Sequence, residues 1–216
     1  PLLLAKNEGL TFDQRLAKRV LDLVVSIIAL VITSPVMLVI AIAIKAYDGG
    51  PVFFVQDRCT INGKVFKIHK FRSMIENAEK DGEVIPATDD DARITPVGKI
   101  IRKTRLDELP QFFDILIGNM SVVGPRPERV EHVEKYVEEV PEFTYRMKVK
   151  GGLTGYAQIY GKYNTSAYDK LKLDLMYIQN YSILLDLRLI LMTVKIMFIK
   201  DSTEGFEEIK PSEKKD

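Results

Sequence analysis

Apolar residues fill Val24–Ile44, 21 consecutive positions without a charge. Before them, Phe12, Leu16, Val20 and Leu23 recur at helical spacing, which predicts a helix running straight into the apolar run. At about 1.5 Å per residue such a helix rises roughly 30 Å, the thickness of a bilayer's hydrocarbon core. Ser34-Pro35 interrupts it near the middle. A proline inside a helix removes one hydrogen bond and clashes with the preceding turn. It frees the Val31 carbonyl, and the Thr33 or Ser34 hydroxyls can bond nearby backbone. Basic residues flank both ends: Lys18 and Arg19 before, then Lys45, Arg58, Lys64, Lys67, Lys70 and Arg72 after. Basic flanks mark the cytoplasmic side. A helix that enters, breaks at Pro35 and returns to the same face satisfies both flanks, and a kinked spanning helix is the alternative on these residues alone.

Beyond Lys45 the pattern changes. GGPVFFVQDR (49–58) and KVFKIHKFRSM (64–74) read as extended segments around an Asn62-Gly63 turn, a hairpin signal. Residues 75–92 are polar, and the run Asp89-Asp90-Asp91 reads as a solvated loop before a metal site. SVVGPRP (121–127) is expected to be a rigid loop, 128–148 a charged helical stretch, and 149–164 a Gly-rich segment. Residues 167–200 read as one or two helices. Within them Ile183–Ile199 is mostly apolar, with Arg188 and Lys195 seven apart, and is expected to lie along a membrane surface. On the entry turn, Asp22 can reach Lys18 or Arg19 at i,i+4 or i,i+3 spacing, a weak surface pair being the bland alternative. The division is a lead (1–17), a membrane helix hairpin (18–45), a catalytic domain (46–200) and a polar tail (201–216). The fold class is α+β and predominantly helical.

Charge narrows the function. The 216 residues carry 31 Lys+Arg and 30 Asp+Glu, and a net charge of +1 gives no case for nucleic acid. Cys59 is the single cysteine, which excludes an internal disulfide or a multi-Cys metal site. With His69 and His132 as its two histidines, the chain is a poor candidate for a His-based zinc site or a Ser-His-Asp triad. The apolar run is too long for a signal peptide and lacks a cleavage site. With Pro1 rather than Met at its start, the chain reads as a fragment or processed product.

The densest chemical signal is RKTRLDELPQ (102–111). Pro110 suits the first turn of a helix, which would set Asp107 and Glu108 at a helix N-terminus. The dipole there favours negative charge and would keep Asp107 ionised. An ionised carboxylate can attack phosphorus, and a neighbouring one suits Mg²⁺. An acid pair that only caps a helix is the alternative. Arg126 stands between Pro125 and Pro127, a fixed guanidinium suited to phosphate. GGLTG (151–155) can bring backbone N–H groups to an anion but lacks the Walker A pattern.

Together these pieces resemble the bacterial sugar transferases, the monotopic phosphoglycosyl transferases. The matching stretches, in order, are KRVLD (18–22), Ser34-Pro35, GPVFFVQDR (50–58), KVFKIHKFRSM (64–74), DARITPVGKIIRKTRLDELPQ (91–111), MSVVGPRPE (120–128), LTGYAQIYGKYN (153–164) and KLDLMYIQNYSILLDL (172–187). The resemblance covers roughly residues 18–200. It implies transfer of a sugar 1-phosphate from a UDP-sugar to polyprenyl phosphate, usually undecaprenyl phosphate, with release of UMP, at the start of surface-glycan assembly. By resemblance Asp107 is the nucleophile of a covalent phosphosugar intermediate, and Glu108 helps it hold Mg²⁺. Arg126 and Arg105 are expected at phosphates or nucleotide, with Lys70 and Arg72 as further phosphate-binding candidates. Ser34-Pro35 marks the break of a re-entrant helix, and the site is expected on the cytoplasmic face of a bacterial inner membrane, against membrane lipid.

Two positions depart from the family pattern. Gly151 replaces the usual proline in Lys150-Gly151-Gly152, and Asn119 replaces the usual acid before Met120, so no acidic role is carried there. The lead and GKYNTS (161–166) resemble larger members with an extra N-terminal membrane domain, which makes this chain the catalytic portion of such a protein. The rivals are a glycosyltransferase that releases UDP and an inactive assembly scaffold. The sugar stays open, as does oligomeric state, a homodimer included.

Overall fold

A computed structural model describes residues 9–76, 78, 91–161 and 166–197. The lead before Gly9, Asp89 and Asp90 of the acidic run, and the tail 201–216 lie outside the described residues.

The chain is organised on α1 (Phe12–Asp48), a helix of 37 residues. Thr11 and Gln14 form a capping box at its start, and Gly49, at φ 73°, closes it in the left-handed conformation that glycine adopts without strain. Lys18, Asp22, Ser26, Met37, Ile40 and Ile44 form one buried stripe along it. The remaining faces expose Val20, Val24, Ile28, Val31, Ile32, Val39 and Ile42. Among the described residues this is the one helix long and apolar enough to cross a membrane.

The helix runs unbroken through Pro35, so it is longer at both ends than 18–45 and has no interruption at Ser34-Pro35. The local bonding explains this. The Ser34 hydroxyl donates to the Val31 carbonyl that Pro35 leaves free, at 2.9 Å, and Thr33 Oγ1 donates to the Ala29 carbonyl at 2.7 Å.

Both ends of α1 dock on the same folded unit. At the first, Lys18 Nζ donates to Asp186 Oδ2 (2.6 Å) and Tyr177 OH (2.9 Å), and that hydroxyl donates to Asp186 Oδ1 (2.8 Å). Arg19 donates to the Ile115 and Leu116 carbonyls at 2.7 and 2.8 Å. Asp22 Oδ1 accepts from Ser121 Oγ and the Val122 N–H, both at 2.8 Å. Asp22 still feels the charge of Lys18, but it is buried rather than at the surface, and each charge on this turn hydrogen-bonds a different distant element. At the far end Asp48 pairs with both terminal nitrogens of Arg72.

The predicted hairpin forms. Strand β1 (Phe53–Cys59) pairs antiparallel with β2 (Val65–Phe71), Phe54 opposite Lys70 and Val55 opposite His69. Asn62 and Gly63 turn it with φ of 57° and 71°. A second small sheet pairs β3 (Ser121–Val123) in parallel with β4 (Gly152–Thr154), so SVVGPRP begins as a strand. A Cβ on Gly152 would stand 2.1 Å from the Gly124 nitrogen, so the close approach requires glycine. The N–H groups of Gly151 and Gly152 are spent on Thr60 Oγ1 and the Pro125 carbonyl, which argues against this segment as an anion loop.

Helices supply the rest: α2 (Pro96–Lys103), α3 (Gln111–Ile117), α4 (Val130–Glu139), α5 (Tyr156–Tyr160), α6 (Ala167–Gln179) and α7 (Ile183–Met197). The charged stretch 128–148 is α4 plus a 3-10 helix, Pro141–Lys148. One core gathers Phe66, Ile115, Val123, Phe143, Leu175 and Leu189 from hairpin, strand and helices. A second packs Met37, Ile40 and Ile44 of α1 on Phe71 and Ile101, with Leu106 and Leu109 beside them. On α7, Asp186 and Leu189 face inward while Leu184, Leu187, Leu191 and Val194 are exposed. Arg188 and Lys195 are exposed as well. The architecture is mostly helical with two small sheets, as the α+β reading anticipated.

Candidate active site

The second core positions the carboxylates. Helix α2 ends at Thr104, and Arg105 reverses the chain at φ 55°, ψ 19°, a left-handed conformation that costs a non-glycine residue of order 1 kcal/mol. A 3-10 turn, Leu106–Glu108, follows, and Pro110 is the N-cap of α3. Leu106 and Leu109 pack toward α1, which fixes the turn carrying Asp107 and Glu108. The acids thus sit one turn ahead of the helix rather than in its first turn.

Glu108 is locked. Its Oε1 accepts from Lys70 Nζ at 2.8 Å and from an Arg126 terminal nitrogen at 2.5 Å. Burial alone would raise its carboxyl, but Arg126 and Lys70 outweigh that and hold it well below the usual carboxylate range. Glu108 in turn raises Arg126, against burial. Burial pulls Lys70 down more than Glu108 restores it. Asp107 differs: no hydrogen bond reaches its carboxylate among the described residues. Burial pushes it above its ordinary range; Lys70 opposes, Glu108 adds to the rise, and Arg102 and Arg126 pull it back. The expected setting at a helix N-terminus is corrected: α3 has seven residues and begins after Pro110, and burial is the largest influence on the Asp107 carboxyl.

Arg126 is aimed from both sides of its loop. Its carbonyl accepts from Arg146 at 2.9 Å, and Arg146, buried and stacked on Phe143, also donates to Asp174 at 2.7 Å. Arg58 donates to the Pro127 carbonyl at 3.2 Å and to Gln56 Oε1 at 2.6 Å, and its buried Nε has no partner. Burial, with Arg126 and Arg129 nearby, lowers Arg58 to about 10. Glu128 takes Lys170 at 2.8 Å. Chemically, cations outnumber anions around one free and one locked carboxylate, an arrangement that accepts an anion of several charges.

Of the residues singled out in the sequence, Asp107, Glu108, Lys70 and Arg126 converge. Arg72 does not: it clamps Asp48 at the end of α1. Arg105 is exposed and not among the largest charges acting on Asp107, where Arg102 stands instead; it makes the turn in the backbone. Ser34 and Pro35 lie on α1. Arg58 was seen only as a flanking charge and Arg146 not at all. Arg58 was findable, since alternate strand residues share a face and the hairpin register sets it on the face of Lys70. Arg146 gives no such signal.

The fold and site define a cation-rich acid pair braced on one long apolar helix. The model of the family described as bacterial sugar transferase matches residues 13–200, and the chain belongs to that family. A UDP-glucose:undecaprenyl-phosphate glucose-1-phosphate transferase of Klebsiella pneumoniae is 48% identical over 190 residues, 86% of this chain and 41% of that protein. A UDP-N-acetylgalactosamine-undecaprenyl-phosphate N-acetylgalactosaminephosphotransferase of Aeromonas hydrophila is 43% identical over 181 residues, 82% of this chain and 43% of the relative. An uncharacterized sugar transferase, EpsL, of Bacillus subtilis (strain 168) is 37% identical over 187 residues, 87% and 90% of the two chains. The chain spans less than half the length of the first two.

Proposed function

We propose that this chain transfers a sugar 1-phosphate from a UDP-sugar to undecaprenyl or another polyprenyl phosphate, releasing UMP, and so starts assembly of a surface glycan. The observation that carries the reading is the asymmetry of the acid pair: Glu108 is held by Lys70 and Arg126, while Asp107 keeps its oxygens unbonded. In the first step an Asp107 oxygen attacks the sugar-bearing phosphorus, the bond to the UMP oxygen breaks, and UMP leaves with that electron pair. In the second step a polyprenyl phosphate oxygen attacks the same phosphorus, displacing the Asp107 carboxylate. Arg126 and Lys70, with Arg58 behind them, hold the diphosphate in line.

A divalent cation fits the donor set. Among the described residues no three His, Cys, Asp or Glu side chains converge, but Glu108 Oε2 and Asp107 are unbonded. Mg²⁺ binds through one or two carboxylates plus substrate phosphates, and its chemistry here is neutralisation of the diphosphate.

The acceptor explains the surroundings. With Lys18 and Asp48 both docked on one unit, α1 is read as embedded from the cytoplasmic face of the inner membrane without delivering the domain across it. The exposed leucines of α7 are read as lying against the same lipid. Labelling by an impermeant thiol reagent from outside the cell, at a cysteine placed beside Gln14 after Cys59 is replaced, would contradict this topology.

The decisive assay is nucleotide release across a panel of UDP-sugars with undecaprenyl phosphate: UMP supports the reading, and UDP shows a glycosyltransferase instead. Mass spectrometry of protein with UDP-sugar and no acceptor is expected to show a phosphosugar adduct on Asp107. An inactive scaffold yields neither.

A further inference from the structure

We propose that Asp114 and His69 are positioning residues for the acid pair: the Asp114 carboxylate fixes β2 against α3 and thereby sets the Lys70–Glu108 contact. The inference rests on the transfer reaction proposed above for its activity readout.

Asp114 is fully buried on α3. Its Oδ2 accepts the His69 backbone N–H at 2.9 Å, and its Oδ1 lies 2.8 Å from His69 Nδ1. The sheet of β1 and β2 has two strands, so the carboxylate takes the place a third strand would fill at this edge of β2. Asp114 is itself held, because its carbonyl accepts the N–H groups of Gly118, Asn119 and Met120 at 3.1, 3.0 and 3.3 Å.

The two cross-links form a ladder. His69 and Lys70 are neighbours on β2; Asp114 and Glu108 stand on either side of Pro110, where the 3-10 turn enters α3. Strand and turn-plus-helix are thus tied at two rungs, His69–Asp114 and Lys70–Glu108. A slip at the first displaces Lys70, the group that helps lock Glu108 beside the free Asp107. A buried carboxylate is costly to keep, and this one spends both oxygens on the residue beside Lys70.

The pair also specifies a tautomer. With an ionised carboxylate on Oδ1 the ring proton must sit on Nδ1, leaving Nε2 toward solvent. Asp114→Asn tests both halves of the proposal with little change in volume: its amide oxygen can still accept the His69 N–H, but its NH₂ meets Nδ1 and demands the Nε2–H form. His69 and His132 are the two histidines of the chain, so ¹⁵N imidazole spectra of the detergent-solubilised protein contain two resolvable rings. The expected wild-type signal is Nδ1–H at His69, switching to Nε2–H in D114N.

In turnover, D114N is expected to lower kcat roughly 10- to 100-fold, the cost usual for a group that orients a functional one. KM for the UDP-sugar should stay within about twofold, because the phosphate-binding arginines are untouched. In a Lys70→Met background the same change should cost less than about threefold, since the contact it supports is already gone. Unchanged kcat in D114N, an equal loss in both backgrounds, or Nε2–H in the wild type overturns the proposal. Release of UDP rather than UMP would sink the phosphosugar reading alone, with the same cycle read on UDP.

Discussion

Two ion clusters in this molecule use the same residue types to opposite ends. At the foot of α1, Lys18, Tyr177 and Asp186 close on one another, and the ammonium also lies 5.3 Å from the Tyr181 ring. One cation meets one anion, and both carboxylate oxygens are used. At the acid pair, Lys70 and Arg126 crowd one oxygen of Glu108, while its other oxygen and Asp107 stay open. The first arrangement gives the ammonium and both carboxylate oxygens partners within the fold, although burial still outweighs Lys18 and Tyr177 at the Asp186 carboxyl. The second leaves carboxylate oxygens without partners, and a ligand with negative charge and a metal can supply them. Completeness of bonding, more than burial or residue type, separates a structural cluster from a functional one here.

The largest effect that breaks this contrast is Asp107→Asn. Turnover should fall by about a thousandfold or more, as for loss of a nucleophile, with thermal stability unchanged or raised because a half-buried, unbonded charge is gone. It is checked by UMP release beside a melt. Lys18→Met should do the reverse: it strands Asp186, fully buried, and should cost ~3–5 kcal/mol of stability in a denaturant titration. Glu108→Gln is smaller, roughly 10- to 100-fold in turnover. It should also move the acid limb of the pH–rate profile of UMP release to lower pH, because Glu108 raises Asp107.

The gentlest test is pH itself, and the two acids respond with opposite sign. Asp107 is raised, so its protonation removes the nucleophile at a higher pH than an ordinary carboxylate would, and its buried charge costs less as pH falls through that value. Glu108 is lowered, so its stabilisation is full above its unfolded value of about 4.5 and is lost as pH falls toward its folded one. Activity should therefore fail before stability does on acidification, which a pH–rate profile and melts on one preparation would check.

What the sequence made legible was local. Helical spacing from Phe12 onward, the Asn62-Gly63 turn and the Pro110 boundary each announce their structure within a few residues. The Thr33 and Ser34 hydroxyls, expected to bond nearby backbone, take the Ala29 and Val31 carbonyls. The misreadings concern long-range partners. Asp22 has a tempting neighbour in Lys18, yet its partners Ser121 and Val122 lie about a hundred positions on. Arg72 has the look of a phosphate ligand until Asp48 folds onto it. Asp107 carries a helix-start signature, but the desolvation that raises it comes from packing that no local pattern encodes.

The partner of Lys18 has a consequence for how the protein comes to be. Asp186 stands 168 positions further along the chain. A ribosome makes the apolar helix first and the residue that secures its foot only with the first turn of α7. In between, α1 can enter lipid while the ammonium of Lys18 stays hydrated at the surface. Contacts of such sequence separation form late. The β3 segment that leads to Arg126 is tied to the same turn through Asp22. On the topology proposed above, the anchor is thus committed before the chemistry, and the foot of α1 is secured only once α7 has been made.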